Sequence, residues 1–147
     1  MPATFSPSDL RRAGIGAFFR PRDVRPLGVT YHQIQRLVAA RTGLYLAIGG
    51  ASEAHVLTNA EMKRICEIGV EEAKGKVQVN AGLKECRSAA AVIELARDAR
   101  DAGVDAIQIY QLDNGHGMIP TIREQEVYWD QILGEIDHPV IINIHYE

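Results

Sequence analysis

Strand-length apolar runs recur along this chain at an almost constant interval, and that period restricts the possible folds more than any other feature. Residues 44–49, 77–82, 107–112 and 140–145 begin 33, 30 and 33 residues apart, and each interval is filled by a segment of helical pattern. Strands alternating with helices at this spacing build βα units, and successive βα units build a parallel sheet. A weaker run at residues 15–19 is read as an earlier strand, which makes about five in all. Three segments fit the S/T-x-x-E/Q capping box: Thr30 to Gln33, Thr58 to Glu61 and Thr121 to Glu124. In that box the hydroxyl and the third side chain satisfy each other's backbone donors, so each is expected to open a helix. Met62, Ile65, Cys66 and Gly69, then Val92, Leu95, Ala96 and Ala99, keep helical spacing on one stripe, and Gly103 is placed to end its helix.

Alternation within the strands separates two faces. Leu44, Leu46, Ile48, Val77, Val79, Ile107, Ile109, Ile142 and Ile144 form an apolar face expected to lie beneath the helices. Tyr45, Gln78, Asn80, Gln108, Tyr110, Asn143 and His145 occupy the other. A doubly covered parallel strand is ordinarily apolar on both sides. A polar second face is expected to line a site, as inside a (β/α) barrel, or to meet another chain.

Composition narrows the partners. The 147 residues carry a net charge of −3, with basic residues spread along the chain, which offers no electrostatic footprint for nucleic acid. No apolar run reaches the 18 residues that a membrane span needs, and residues 1–12 lack the apolar core of a secretory signal. A cytoplasmic protein is expected. Cys66 and Cys86 form no CxxC pair and are read as reduced structural residues. The chain is read as one domain over 1–147, with an irregular N-terminal segment at 1–13.

In α/β folds, chemistry gathers at the C-terminal ends of the strands. Here those positions give Gly49, Gly50, Ala51, Ser52 and Glu53; Asn80 to Lys84; Gln111 to Gly117; and Asn143 to Glu147. Exposed backbone amides at paired glycines can hold a carboxylate or phosphate. Glu53, Asp113, His116 and His145 could gather into an N/O metal site, although no HxH or HExxH spacing supports one. Lys84 could form a Schiff base, against the plainer reading of a solvated loop lysine. His32, His55 and His138 are read as residues without a role, and Tyr128 and Trp129 as packing groups.

Gly49 to Glu53, followed by Leu57-Thr58 and Glu61, resembles the G-[ST]-[ST]-G-E-x-x-x-L-[ST]-x-x-E pattern of the dihydrodipicolinate synthase and N-acetylneuraminate lyase family. Val79 to Gly82, then Ala96, Ala99 and Ala102 to Ala106, are similar to that family's third strand, third helix and entry to its fourth strand, and Pro139 to Ile142 resemble its fifth. The resemblance runs from about Gly14 to the end and covers about the first half of a family barrel. It implies a (β/α)8 TIM barrel, here partial, whose members condense or cleave 2-oxo acids, usually pyruvate, through a Schiff base to lysine. No further cofactor is implied, and homo-oligomers are. In such a reaction the iminium takes up the electrons of the broken bond, and an oriented tyrosine moves protons.

This sequence departs from the pattern at the groups that matter. Gly50 and Ala51 stand where the family carries a hydroxyl pair, which leaves Ser52 and backbone amides to bind a carboxylate. The strand-five tyrosine falls at Ile142 or Asn143, Tyr146 comes three or four positions late, and the aromatic pair of strand four is replaced around Tyr110-Gln111-Leu112. The chain carries lysine only at 63, 74, 76 and 84, none on or after the fifth strand. A (β/α)8 barrel takes about 250 residues. Three expectations follow. The first is a carbon–carbon lyase or synthase whose lysine lies outside this chain, with Gly49, Gly50, Ala51, Ser52, Tyr110, Asn143 and His145 binding substrate. The second is a half-barrel that binds or oligomerises without catalysis, and the third a metal-dependent lyase or hydrolase.

Overall fold

A computed structural model of the chain describes residues 27–47, 54–112 and 119–144. Helix α1 (Leu27–Ala39) leads into strand β1 (Leu44–Leu46), and a short 3-10 turn (Ala54–Val56) precedes α2 (Asn59–Ala73). Then follow β2 (Val79–Gly82), α3 (Ala89–Asp101), β3 (Ala106–Tyr110), α4 (Ile122–Glu135) and β4 (Val140–Asn143). The strands form one parallel sheet in the order β1-β2-β3-β4. Chain order and spatial order coincide, as they do when each helix returns the chain to the next strand on the same side. The expected fifth strand, at 15–19, lies outside the described residues.

Two of the three capping boxes form. The Thr58 hydroxyl accepts from Glu61 N at 3.2 Å while Glu61 Oε2 accepts from Thr58 N at 3.0 Å. Thr121 and Glu124 repeat the exchange at 3.3 and 2.7 Å. The box at Thr30 does not open a helix, because α1 already begins at Leu27. Gly103, at φ +87°, follows α3 in the left-handed conformation that glycine adopts at little cost.

The core lies between the sheet and its helices. Leu44 and Leu46 of β1, Val79 and Ala81 of β2, and Ile107 and Ile109 of β3 are buried in register. They meet the stripe Met62, Ile65, Cys66 and Gly69 from α2 and the stripe Val92, Leu95, Ala96 and Ala99 from α3, all of them buried. Each full burial of a Leu, Ile or Val side chain contributes about 1.5–3 kcal/mol, so this layer dominates the favourable side of folding. On β4 the corresponding face is only partly covered: Val140 packs against the core, while Ile142 and Ile144 remain 47% and 50% exposed.

Strand entry is fixed by one carboxylate. Asp105 Oδ2 accepts from Val79 N at 2.7 Å and Asp105 N donates to Val79 O at 2.7 Å, which locks the start of β3 to the start of β2. Beside it, His138 Nε2 lies 2.9 Å from Val104 O and ties the approach to β4 to that to β3. His138 therefore has a structural role that its loop position did not suggest.

Candidate functional site

The concave face opposite the helices is as polar as the alternation predicts. Along β1 to β4 it presents Tyr45, Asn80, Gly82, Gln108, Tyr110 and Asn143, with Ala106 and Ile141 as its apolar members and Gln78 just ahead of β2. Asn80, Gln78 and Gln108 are 0%, 5% and 9% exposed, yet they lie on the face that carries no helix stripe. Among the described residues, neither side-chain atom pair of Gln78 or Asn80 finds a hydrogen-bond partner. A buried polar group left without a partner costs about 1–3 kcal/mol, so four such atoms mark a surface that the described residues leave incomplete.

Nearer the C-terminal ends the polar groups connect. The Tyr45 hydroxyl crosses from β1 to donate to Gln108 Oε1 on β3. The bond runs diagonally over β2, where Asn80 is the register partner of Tyr45 and Gly82, which has no side chain, that of Gln108. The Tyr110 hydroxyl is hydrogen-bonded by the side chains of Gln108 and Asn143, the latter its register partner on β4. Burial raises both phenols above their ordinary range. The neighbouring Tyr110 adds to the effect at Tyr45, and Glu85 adds to it at Tyr110. Both remain protonated at neutral pH and can serve as hydrogen-bond donors.

Helix α4 holds the backbone behind this cluster. Tyr128 is buried and its hydroxyl donates to Tyr110 O at 3.1 Å. Gln125 acts like a short strand edge toward Leu112: its Nε2 donates to Leu112 O at 3.1 Å and its Oε1 accepts from Leu112 N at 3.3 Å. Sequence reasoning took Tyr128 for packing alone and did not single out Gln125. Their position one turn into a capped helix after a strand end was the available signal. Trp129 packs edge-on against Tyr128, with ring centroids 5.2 Å apart.

The sequence-derived site residues divide into three groups. Tyr110 and Asn143 come together as described. Gly49, Gly50, Ala51, Ser52, Glu53, Asp113, His116 and His145 lie outside the described residues, and with them the whole candidate metal set. Among the described residues no three His, Cys, Asp or Glu side chains gather to hold a metal. The remaining residues are placed as follows. Ile142 pairs in register with the buried Ile109 on the helix side of the sheet, as the alternation expects, so of the two positions considered for a strand-five group Asn143 faces the concave side. Lys84 is not a solvated loop lysine: it is half-buried, and its Nζ donates to Leu57 O at 3.3 Å and Asn59 Oδ1 at 3.0 Å. Those acceptors belong to the approach to α2, so Lys84 secures the C-terminal end of the segment that follows β1. At the other end of that segment Ala47 takes φ +56°, a left-handed conformation that costs an alanine about 1–2 kcal/mol. The chain thus turns sharply off β1 just before Gly49.

Residues 29–145 match the model of the dihydrodipicolinate synthetase family. The chain belongs to that family. It is 34% identical over 105 residues to N-acetylneuraminate lyase of Clostridium perfringens, an overlap of 68% of this chain and 33% of the relative. It is 40% identical over 74 residues, half of this chain and a quarter of the relative, to 4-hydroxy-tetrahydrodipicolinate synthase of Chlorobium phaeobacteroides. Among solved structures, dihydrodipicolinate synthase from Aquifex aeolicus superposes with a TM-score of 0.69 at 24% identity, covering 87% of this chain and 42% of that one. The enzyme from Bacillus anthracis gives 0.68 at 21%, again over 87% and 42%. The sheet is therefore a segment of a TIM-type barrel, and the chain spans about a third of the length of the C. perfringens lyase it matches. None of the described helices is long and apolar enough to cross a membrane.

Proposed function

We propose that this chain forms the N-terminal part of a class I aldolase-type lyase or synthase acting on pyruvate or another 2-oxo acid. Family membership over residues 29–145 carries the reading. The concave, hydrogen-bonding face at the strand ends supports it physically. The amine for Schiff-base formation comes from outside these residues, since no lysine follows position 84. The Gly49 to Ser52 segment holds the substrate carboxylate with backbone amides and the Ser52 hydroxyl, and Tyr110, Asn143 and His145 complete the binding face. The loss of the hydroxyl pair at Gly50 and Ala51 favours an acceptor other than that of standard dihydrodipicolinate synthesis. The protein is cytoplasmic and homo-oligomeric in this reading.

The enamine step supplies a direct test. A Schiff base to pyruvate releases a proton from the methyl carbon, so the protein from its natural reading frame should exchange pyruvate methyl protons for deuterium well above the buffer rate. Exchange no faster than buffer would contradict the lyase reading. One observation favours a second reading, a binding or oligomerisation module. Ile142 and Ile144 leave an apolar strip half-exposed on the helix side of β4, as a surface that meets another polypeptide would. Absent exchange together with concentration-dependent association would support it.

A further inference from the structure

Asn80 and Gln78 are shut off from water, yet the groups that exclude it give their amides no hydrogen bond among the described residues. The register shows why the sheet itself supplies none. Asn80 is flanked by its register partners, Tyr45 of β1 and Ala106 of β3. The Tyr45 hydroxyl has given its proton to Gln108, and Ala106 has no polar side-chain atom. Along β2, on the same face, stand Gly82, which has no side chain, and Gln78, whose own amide is unpartnered. A partner therefore has to come across the face, from the barrel interior. Such interiors are ordinarily filled in layers by branched apolar side chains. An apolar filling would leave four amide atoms without water and without a partner, the state that costs a polar group most. A charged side chain would serve no better, because no described residue of this face carries the countercharge that a buried ion needs. The chemistry that fits is neutral: amide or hydroxyl groups that donate to Oδ1 and Oε1 and accept from Nδ2 and Nε2. Both amides also lie nearer the N-terminal ends of the strands than Gln108, Tyr110 and Asn143. Substrate chemistry gathers at the other end, so the partner that fits here is protein.

We propose that Asn80 and Gln78 are one half of a hydrogen-bonded layer inside the barrel, and that the other half is a set of neutral polar side chains on strands of the same polypeptide outside residues 1–147. This rests on the reading above, in which these residues are the N-terminal part of a longer enzyme, and adds to it the chemistry of the surface that completes them. The occupant follows from the match to solved barrels. The chain superposes on 42% of the A. aeolicus enzyme, so in a closed barrel of that kind the inner face of β2 looks toward strands that this segment does not contain. The layer also selects its complement, because a strand that offers apolar side chains alone leaves all four atoms unpaired.

The test uses the protein from its natural reading frame. Its crystal structure is expected to place a neutral polar side-chain atom of a residue outside 1–147 within hydrogen-bonding distance of the Asn80 amide, and another beside that of Gln78. Asn80→Leu and Gln78→Met keep the shape of each side chain and remove its polar atoms. Each is expected to lower the apparent Tm by roughly 2–4 °C, because the group opposite is left buried and unpaired. An unchanged or raised Tm would overturn the polar complement, since removing an amide that has no partner relieves a cost. A structure in which Asn80 and Gln78 meet apolar side chains, ordered water alone or a second copy of the chain would overturn it as well, and that structure decides the matter should either variant fail to fold. Failure of the 2-oxo acid reading is told apart by pyruvate and borohydride: no adduct, with the polar partners in place, would remove that reading and leave the layer standing. A natural reading frame that adds no strand would overturn both.

Discussion

Replacing two helical glycines by alanine should change stability in opposite directions, and the reason lies in what each glycine faces. Gly69 sits on the buried stripe of α2, where an added Cβ would stand 2.3 Å from Leu46 Cδ1 and 3.5 Å from Val79 Cγ1. Carbon atoms rest comfortably at about 3.5–4.0 Å, so the Leu46 methyl must retreat by more than an ångström. Leu46 is 0% exposed and has no open space to enter. Overpacking of this kind costs about 1–3 kcal/mol, while exchanging glycine for alanine within a helix returns about 1 kcal/mol. The balance for Gly69→Ala is a loss of about 1 kcal/mol, or a fall in Tm of roughly 2–4 °C for a chain of this size. At Gly134 in α4 an added Cβ meets nothing within 4 Å. Only the propensity gain remains there, about 0.5 kcal/mol so close to the helix end. Urea unfolding followed by circular dichroism and by the fluorescence of the single tryptophan, Trp129, measures both variants against the parent. If Gly69→Ala proved as stabilising as Gly134→Ala, α2 would not lie as close to β1 as described.

Other expectations concern single groups. Thr58→Ala and Thr121→Ala should each lose about 1 kcal/mol in the same unfolding assay, because each removes the acceptor of a complete capping box. Burial pushes the Cys66 thiol up to about 12, whereas Cys86 is raised less, being half-buried beside Lys84. A thiol-modifying reagent at pH 8 should therefore label Cys86 slowly and Cys66 only at the rate of unfolding, as peptide mapping would show. Burial also raises the Asp105 carboxyl above its ordinary value, against the opposing pull of its bond from Val79 N. The folded state then binds more protons than the unfolded one just above the normal carboxylate range, so its contribution is complete at low pH and is lost as pH rises through the raised value. Stability relative to Asp105→Asn should decline over that interval. Parallel pH profiles of the two proteins would refute the assignment.

The fold was legible because its signals are local and repeated. Burial of Met62, Ile65, Cys66 and Gly69 follows from their spacing alone, as does the placing of Leu44, Val79 and Ile107 on one side of the sheet. Two capping boxes behaved as written, and the box at Thr30 opens no helix because the helix already begins at Leu27. The concave polar face was visible as alternation, but its wiring was not. The Tyr45 to Gln108 bond joins residues 63 positions apart on strands separated by β2, and only registration of three strands brings them together. Lys84 looked like a loop lysine because sequence shows neither the Leu57 carbonyl nor the Asn59 amide beside it. Alternation already set Ile142 and Asn143 on opposite faces, but that Asn143 stands opposite Tyr110 needed the β3 to β4 register.

The central claim is that this family segment works as part of a Schiff-base enzyme on a 2-oxo acid. Its most direct test is the intact mass of the protein from its natural reading frame, taken before and after incubation with pyruvate and borohydride. The account predicts a chain longer than 147 residues that gains one reduced pyruvate adduct, located by peptide mapping on a lysine beyond Glu147. A protein whose mass is unchanged by that treatment, while its fold is intact, would contradict it.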